Sequence, residues 1–381
     1  MRSITQEKFD QILAFLQQHQ IDVLMIADFE DSENVNLQYL SGQPNDGIVL
    51  IKSDGESILI PWDLSLAEKH AEVDEIIDYS NYDYNMTLAV KHLVEERWKK
   101  SSLTVGLHGS TQYGYAIKIK SLIPSIKFYD APIEIDRFLE ELRATKSESE
   151  LNLLIEAARI GSKTIKDIRT FAESAGNQTE KDLSFLVRKK MAEYGADDIA
   201  FESLVANSSR SHEIHCHPFA TNQEFAKPGL ALIDFGAKYQ GYNSDITVPI
   251  SFGELNDDQL KAIKTTLKAY ESAIEMIDIG VPLWKIHECA EEILKDAGYG
   301  MPYSLGHGLG LTVHDAPFIS RKPTDEYSLK YWKEHVIEDG MIFTIEPSAF
   351  KQGIGGFRLE NDVMIRNGKV EIITDSEYIK I

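Results

Sequence analysis

Apolar and polar positions follow two different rhythms along this chain. Over residues 1–131 short helical and strand patterns alternate. A helical pattern at Gln6–Gln18 is followed by apolar runs at Val23–Ala27, Gly47–Ile51 and Ile58–Ile60, a helical stretch at Leu88–Trp98 and an apolar run at Leu103–Leu107. Such alternation predicts an α/β domain with a mostly sequential sheet. The segment DAPIEID, Asp130–Asp136, reads as a connector. Beyond it, Ser147 and Glu150 form an S-x-x-E capping box at a helix start. Leu151, Leu154, Ile155, Ala158, Ile165 and Ile168 then recur at three- and four-residue spacing, the pattern of a helix burying one face. A further helix is expected over Glu180–Tyr194. After Ile199 strands and glycine-rich turns dominate, interrupted by helical patterns at Asp257–Met276 and Trp284–Ala297. Residues 135–381 therefore read as a second, larger domain of the α+β class.

Composition narrows the function classes. Against 39 Lys and Arg stand 61 Asp and Glu, a formal charge of −22, which argues against a broad surface for nucleic-acid phosphates. No apolar run approaches the roughly 18 residues of a membrane span, and MRSITQEKFDQ has no apolar core, so neither a membrane nor a secretory signal is expected. Two cysteines, Cys216 and Cys289, are too few for a disulfide scaffold, and a cytoplasmic location is expected.

The chemistry concentrates in the second domain. In LALIDFGAKYQGYNSDITVPI, residues 230–250, two strand-like runs flank a glycine-containing turn. Asp234 and Asp245 are equidistant from Tyr239–Gln240, so a regular hairpin sets them opposite one another, with Cβ atoms roughly 5 Å apart. In MIFTIEPSAFKQGIGGFRLENDVMI, residues 341–365, Glu346 and Glu360 are equidistant from Gly353, and Arg358 shares a strand face with Glu360. Paired buried carboxylates must share protons or bind cations. In SLGHGLGLTVHDAP, residues 304–317, His307 sits between two glycines that let the backbone approach a crowded site, and His314 follows. One imidazole and four carboxylates describe a dinuclear hydrolytic site. A DFG at 234–236 lacks any kinase companion motif, HEIHC at 212–216 misses the HExxH spacing, and Cys216 between His215 and His217 suggests at most a small local metal site.

The segments IDFGAKYQGYNSD, GHGLGLTVHDAP, FTIEP and RLENDV, with RFLEELRATKSESELNLLIEAARI at 137–160, resemble the metal-dependent pita-bread peptidases. Within that family they are most similar to the Xaa-Pro dipeptidase (prolidase) and Xaa-Pro aminopeptidase branch. The resemblance implies a pita-bread (creatinase/aminopeptidase-like) catalytic domain over residues 135–381, preceded by a creatinase-like N-terminal domain over 1–131. It implies two divalent metal ions per subunit (Mn, Co, Zn or Fe, with Mn favoured), held by Asp234, Asp245, His307, Glu346 and Glu360. Asp234 would bind one ion, His307 and Glu346 the other, and Asp245 and Glu360 both. The implied reaction is hydrolysis of the Xaa-Pro bond at the N-terminus of dipeptides or short peptides by a metal-activated hydroxide. Glu346 would move the proton, His314 would stand at the substrate carbonyl, and His217, with His215 as the alternative, would face the substrate. Arg358 would orient Glu346 or Glu360, or bind a substrate carboxylate. A homodimer is implied; dipeptidase and aminopeptidase action both stay open. The chain departs from the family pattern where Val248 stands in place of an Arg after Asp245, where Ser348 replaces a Gly, and where Asn361 replaces an Asp. A metal-dependent amide or amidine hydrolase on the same scaffold, or a non-catalytic peptide-binding scaffold, are the alternative readings.

Overall fold

The computed structural model describes residues 4–30, 34–174 and 176–381. The first three residues of the segment considered for a secretory signal lie outside that set. The chain divides into two compact units, Met1–Leu142 and Arg143–Ile381. Among the described residues no helix is long and apolar enough to cross a membrane.

The first unit is built on a six-stranded sheet. Its order is Glu75–Ile76, Ser57–Pro61, Gly47–Lys52, Val23–Asp28, Leu103–Leu107 and Ile126–Phe128. Val23–Asp28 runs parallel to Leu103–Leu107 and antiparallel to Gly47–Lys52, and every residue of Val23–Asp28 is buried. Such a strand is covered on both faces and reads as a continuous apolar run. The segment taken as a connector is instead the start of a helix, Pro132–Ala144. Proline suits a first helical turn, where its missing N–H costs nothing. Ile135, Leu139 and Leu142 recur on one face and are buried, so the helix is held by packing that outweighs the break its proline suggests.

The second unit repeats one device twice. Helices Glu148–Ser174 and Glu180–Glu193 bury Ile160, Ile168, Leu183 and Val187 in one apolar cluster with Ile233, Phe235 and Val248 of a four-stranded sheet. Helices Asp257–Glu275 and Leu283–Asp296 do the same for a five-stranded sheet, packing Ala269, Ile286 and Leu294 against Phe343, Ile345 and Val363. Because side chains alternate along a strand, the residues between these apolar ones must face the other way. Asp234, Asp245, Thr247, Thr344, Glu346 and Glu360 all fall on that opposite parity. Helix packing on one face thus delivers the polar residues to the other.

Candidate metal centre

The first carboxylates lie on the hairpin formed by Gly229–Phe235 and Ile246–Phe252. Its register sets Asp234 opposite Thr247. The expected Asp234–Asp245 opposition is therefore displaced by two residues. The cause is the turn: Gln240 and Gly241 both have positive φ, 47° and 86°, as a two-residue type I′ loop requires. The hairpin thus centres between Gln240 and Gly241 rather than Tyr239 and Gln240. A two-residue displacement preserves the face, so both aspartates still line one cavity.

The second hairpin is in register throughout. Ile342–Ile345 pairs with Asn361–Arg366, Ile345 facing Asn361. Ser348–Lys351 pairs with Gly355–Arg358, Ser348 facing Arg358. Both pairings belong to one register, which sets Glu346 opposite Glu360. His307 comes in on the three-residue strand Gly306–Gly308. A Cβ on Gly306 would lie 1.9 Å from the Thr344 carbonyl oxygen, and one on Gly308 would lie 2.1 Å from that of Ala316. No side chain fits at either position, and this closeness is what brings the imidazole to the carboxylates.

Ligand atoms of Asp245, His307 and Glu360, all buried, lie within 4.8 Å of one another. His307 Nε2 is 3.6 Å from Asp245 Oδ2 and 3.5 Å from Glu346 Oε1. Its Nδ1 lies 3.1 Å from the Gly308 carbonyl oxygen, a contact that leaves the Nε2 lone pair available to a cation. Thr247 Oγ1 donates to Glu360 Oε2 at 2.6 Å. Arg358, 3% exposed, donates through Nε to Thr247 Oγ1 at 2.8 Å and through a terminal nitrogen to Asp234. Its guanidinium is thus engaged with Asp234 and Thr247, and it reaches neither Glu346 nor Glu360 by a direct hydrogen bond among the described residues.

Burial raises the proton affinity of all four carboxylates. Asp245 is pushed well above the usual carboxylate range by burial and then by Glu360, and Glu360 by burial and then by Glu346. Asp234 is also raised by burial, which Arg358 opposes; under the same two influences Glu346 comes to about 7. Burial, and secondarily His314, pushes His307 down to about 4, and burial lowers His314. Both imidazoles are therefore neutral at neutral pH, the form that binds metal or donates a single N–H. The buried Oδ1 of Asp234 has no hydrogen-bond partner among the described residues. Against these four carboxylates, with buried Asp362 beside Asp245 and Glu360, one guanidinium stands among the described residues, and crowded acids with raised proton affinity and an orphaned oxygen are a donor set for divalent cations.

The cavity above these groups has a volume of about 590 Å³, and its walls include Phe201, Leu204, His215, Tyr303, His314 and Phe318. The His314 ring lies tilted against that of His307, with ring centroids 4.2 Å apart. His215, not His217, lines the cavity; the His217 ring packs edge-on against Phe219, 5.8 Å away. Cys216 between them is fully buried and donates to the Arg210 carbonyl at 3.3 Å, so the three do not form a local metal site. Val248, where the family pattern has Arg, faces the helix-packed cluster with Ile233 and Ile250, so this departure does not touch the cavity wall. Sequence reasoning missed Thr247, Thr344 and Asp362. Two-residue alternation would have found them, since each stands two positions from a carboxylate on the same face.

The fold and site together describe a metal-dependent hydrolase of the pita-bread architecture. Residues 152–367 match metallopeptidase family M24, and residues 8–144 match the creatinase/prolidase N-terminal domain. The chain belongs to metallopeptidase family M24. It is 28% identical to the Xaa-Pro dipeptidase of Pyrococcus horikoshii over 381 residues, 98% of each chain. Among solved structures it is similar to the prolidase from Pyrococcus horikoshii (27% identity, TM-score 0.81, covering 98% of this chain and 99% of that one). It is also similar to the X-Pro aminopeptidase from Thermotoga maritima (26% identity, TM-score 0.80, the same coverages). Membership of this family implies divalent metal ions.

Proposed function

We propose that this chain hydrolyses the Xaa-Pro bond at the N-terminus of dipeptides or short peptides, with residues 135–381 as the catalytic domain and 1–131 as an N-terminal α/β domain. Asp234, Asp245, His307, Glu346 and Glu360 would hold two divalent ions, manganese favoured, Asp245 and Glu360 being shared between them. When bound, the ions would supply Lewis acidity and a locally acidified water. The carrying observation is the meeting of Asp245, His307 and Glu360 ligand atoms within 4.8 Å. The kinship with an Xaa-Pro dipeptidase and an X-Pro aminopeptidase supports the substrate class.

The chain's own residues supply the rest. Glu346, beside His307 Nε2 at 3.5 Å, takes a proton from the attacking water and delivers it to the departing proline nitrogen. That nitrogen belongs to a tertiary amide and carries no proton of its own, so a general acid is needed. His314, neutral at neutral pH, donates an N–H to the oxygen that gains charge. His215 takes the substrate-facing place first assigned to His217. Arg358 opposes the burial that raises the proton affinity of Asp234, and the surrounding negative charge suits the free ammonium of a peptide N-terminus. A cytoplasmic homodimer is part of the proposal. The test is a panel of Xaa-Pro dipeptides and Xaa-Pro-Yaa tripeptides run with Mn, Co and Zn. Cleavage of dipeptides alone gives a dipeptidase, cleavage of both gives an aminopeptidase, and cleavage of neither overturns the proposal.

A further inference from the structure

His215 reaches the cavity on a long irregular segment, residues 207–221, which has no strand or helix of its own. Unsupported chain of this length loses considerable conformational entropy when it holds one side chain in place. Both of its ends are held by a single carboxylate outside the metal cluster. Glu180, the first residue of helix Glu180–Glu193, is fully buried. It accepts from the Asn207 N–H at 2.9 Å, the Thr221 N–H at 2.8 Å and the Thr221 hydroxyl at 2.5 Å. It also pairs with Arg210, whose other terminal nitrogen donates to the Pro218 carbonyl. One acid therefore ties both ends of the segment, and its guanidinium partner ties the middle.

The apex between those ties carries Ile214 and His215, and both line the cavity, as does Phe219 beyond them. Ser211 adds a further anchor, donating to the Leu230 carbonyl at 2.6 Å and accepting from the Gly356 N–H at 3.0 Å. The helix N-terminus next to Glu180 favours its negative charge, so the pair is satisfied on every side. A buried ion pair is weak evidence for stability, since well-packed apolar residues often serve as well. Its contacts at both ends of a segment that delivers an imidazole point to placement of that imidazole.

We infer that the buried Glu180–Arg210 pair is the positioning device that holds His215 at the cavity wall, and that it serves catalysis only through His215. The inference rests on the proposed peptidase function for its kinetic readout. The experiment is a double-mutant cycle on the metal-loaded full chain with an Xaa-Pro substrate, crossing Glu180→Gln with His215→Ala. Glu180→Gln keeps the shape of the side chain but loses the charge and one acceptor. Alone it lowers kcat on the order of 10²-fold, the scale of an ångström-sized misplacement, while metal content by elemental analysis is unchanged. In the His215→Ala background it costs less than about 3-fold, because interacting sites are not additive. Equal losses in the two backgrounds, or no loss in either, overturn the inference. Thr221→Val, which removes one donor, gives the same test should Glu180→Gln fail to fold. If the wild type cleaves no Xaa-Pro bond, the proposed function fails by itself and hydrogen exchange decides the latch. Loss of protection confined to residues 207–221 in Thr221→Val supports it, and unchanged protection there overturns it.

Discussion

In the hairpin that carries the aspartates, Asp234 meets a guanidinium; in the hairpin that carries the glutamates, the two acids face one another across the strands. Arg358 belongs to the glutamate hairpin yet spends its charge on the aspartate one. The four acids therefore divide in a way the hairpins do not. Arg358 is the leading influence that opposes burial at Asp234 and Glu346. Asp245 and Glu360 are pushed further up: at Glu360 Arg358 and then the Thr247 hydroxyl act only against burial reinforced by Glu346 and Asp234, and at Asp245 the neighbouring acids Glu360, Asp234, Glu346 and Asp362 all add to burial. Charge left uncompensated by the protein lies with the inner pair, and there a cation has most to gain.

The largest expected effect follows from that division. Glu360→Ala should remove metal and activity together, with residual turnover at least about 10³-fold down, the scale of losing a group that organises transition-state charge. The fold should persist, because Glu360 makes no apolar contact that the helix-packed clusters need. Elemental analysis, circular dichroism and a rate assay check this jointly. A variant that keeps both its metal and its rate would break the distinction between inner and outer acids.

Arg358→Met is the next test. It leaves Asp234 buried and without its cation, a loss worth about 3–5 kcal/mol for a buried pair. The penalty should be large in chelator-treated protein and shrink when divalent ions are restored, since they replace the missing positive charge. Thermal melts with and without manganese give the two numbers, and equal penalties would mean that Arg358 works by packing instead.

Much of this was readable in the chain itself. Glycine at 353 centres the glutamate hairpin, and the pairing of Glu346 with Glu360 follows from counting outward. The same counting failed by two residues at the aspartates, because the turn there is set by backbone φ at Gln240 and Gly241, which sequence symmetry alone does not reveal. The face survived the error because side chains repeat every two residues. The helix at Pro132–Ala144 was missed where Asp130–Asp136 was read as a connector, its proline standing in the first turn. Long-range partners were out of reach. Nothing in the spacing of Arg358 announces Asp234, 124 positions earlier, and nothing in the spacing of His215 and His217 says which one a buried Glu180 will turn toward the cavity.

A third test uses pH on metal-stripped protein. A carboxyl whose proton affinity is raised on folding contributes stability in full at low pH. That contribution is lost as pH climbs from the unfolded value near 4 through the raised folded one. For Glu346 the window runs from about 4.5 to about 7. Stripped protein should therefore lose several degrees of Tm between pH 5 and pH 8 relative to metal-loaded protein, each ~1 kcal/mol being worth about 2 °C in a chain of this size. At pH 8 the aspartates should separate: Asp245→Asn raises the Tm of stripped protein, because it removes an uncompensated charge. Asp234→Asn lowers it, because it strands Arg358. Differential scanning fluorimetry reads both, and shifts of the same sign would erase the division.

The smallest effect concerns the two threonines, each two positions from a carboxylate on the same strand face. Thr247 is short and doubly engaged, accepting from Arg358 at 2.8 Å and giving to Glu360 at 2.6 Å. Thr344 accepts from the His307 backbone N–H at 3.2 Å and approaches Glu346 at only 3.5 Å, at the outer limit of a hydrogen bond. Partners that orient metal ligands typically carry about 10- to 100-fold in affinity. Thr247→Val should fall within that range, weakening metal binding about 10-fold, whereas Thr344→Val should cost no more than about 3-fold. Valine keeps the branched shape, so packing against the strand is preserved and the hydroxyl is the variable. Titration of each variant with manganese ranks them. If Thr344→Val proves the costlier, the imidazole and Glu346 lean on their hairpin more than the inner acids lean on theirs, and the compensation described for Glu360 is misassigned.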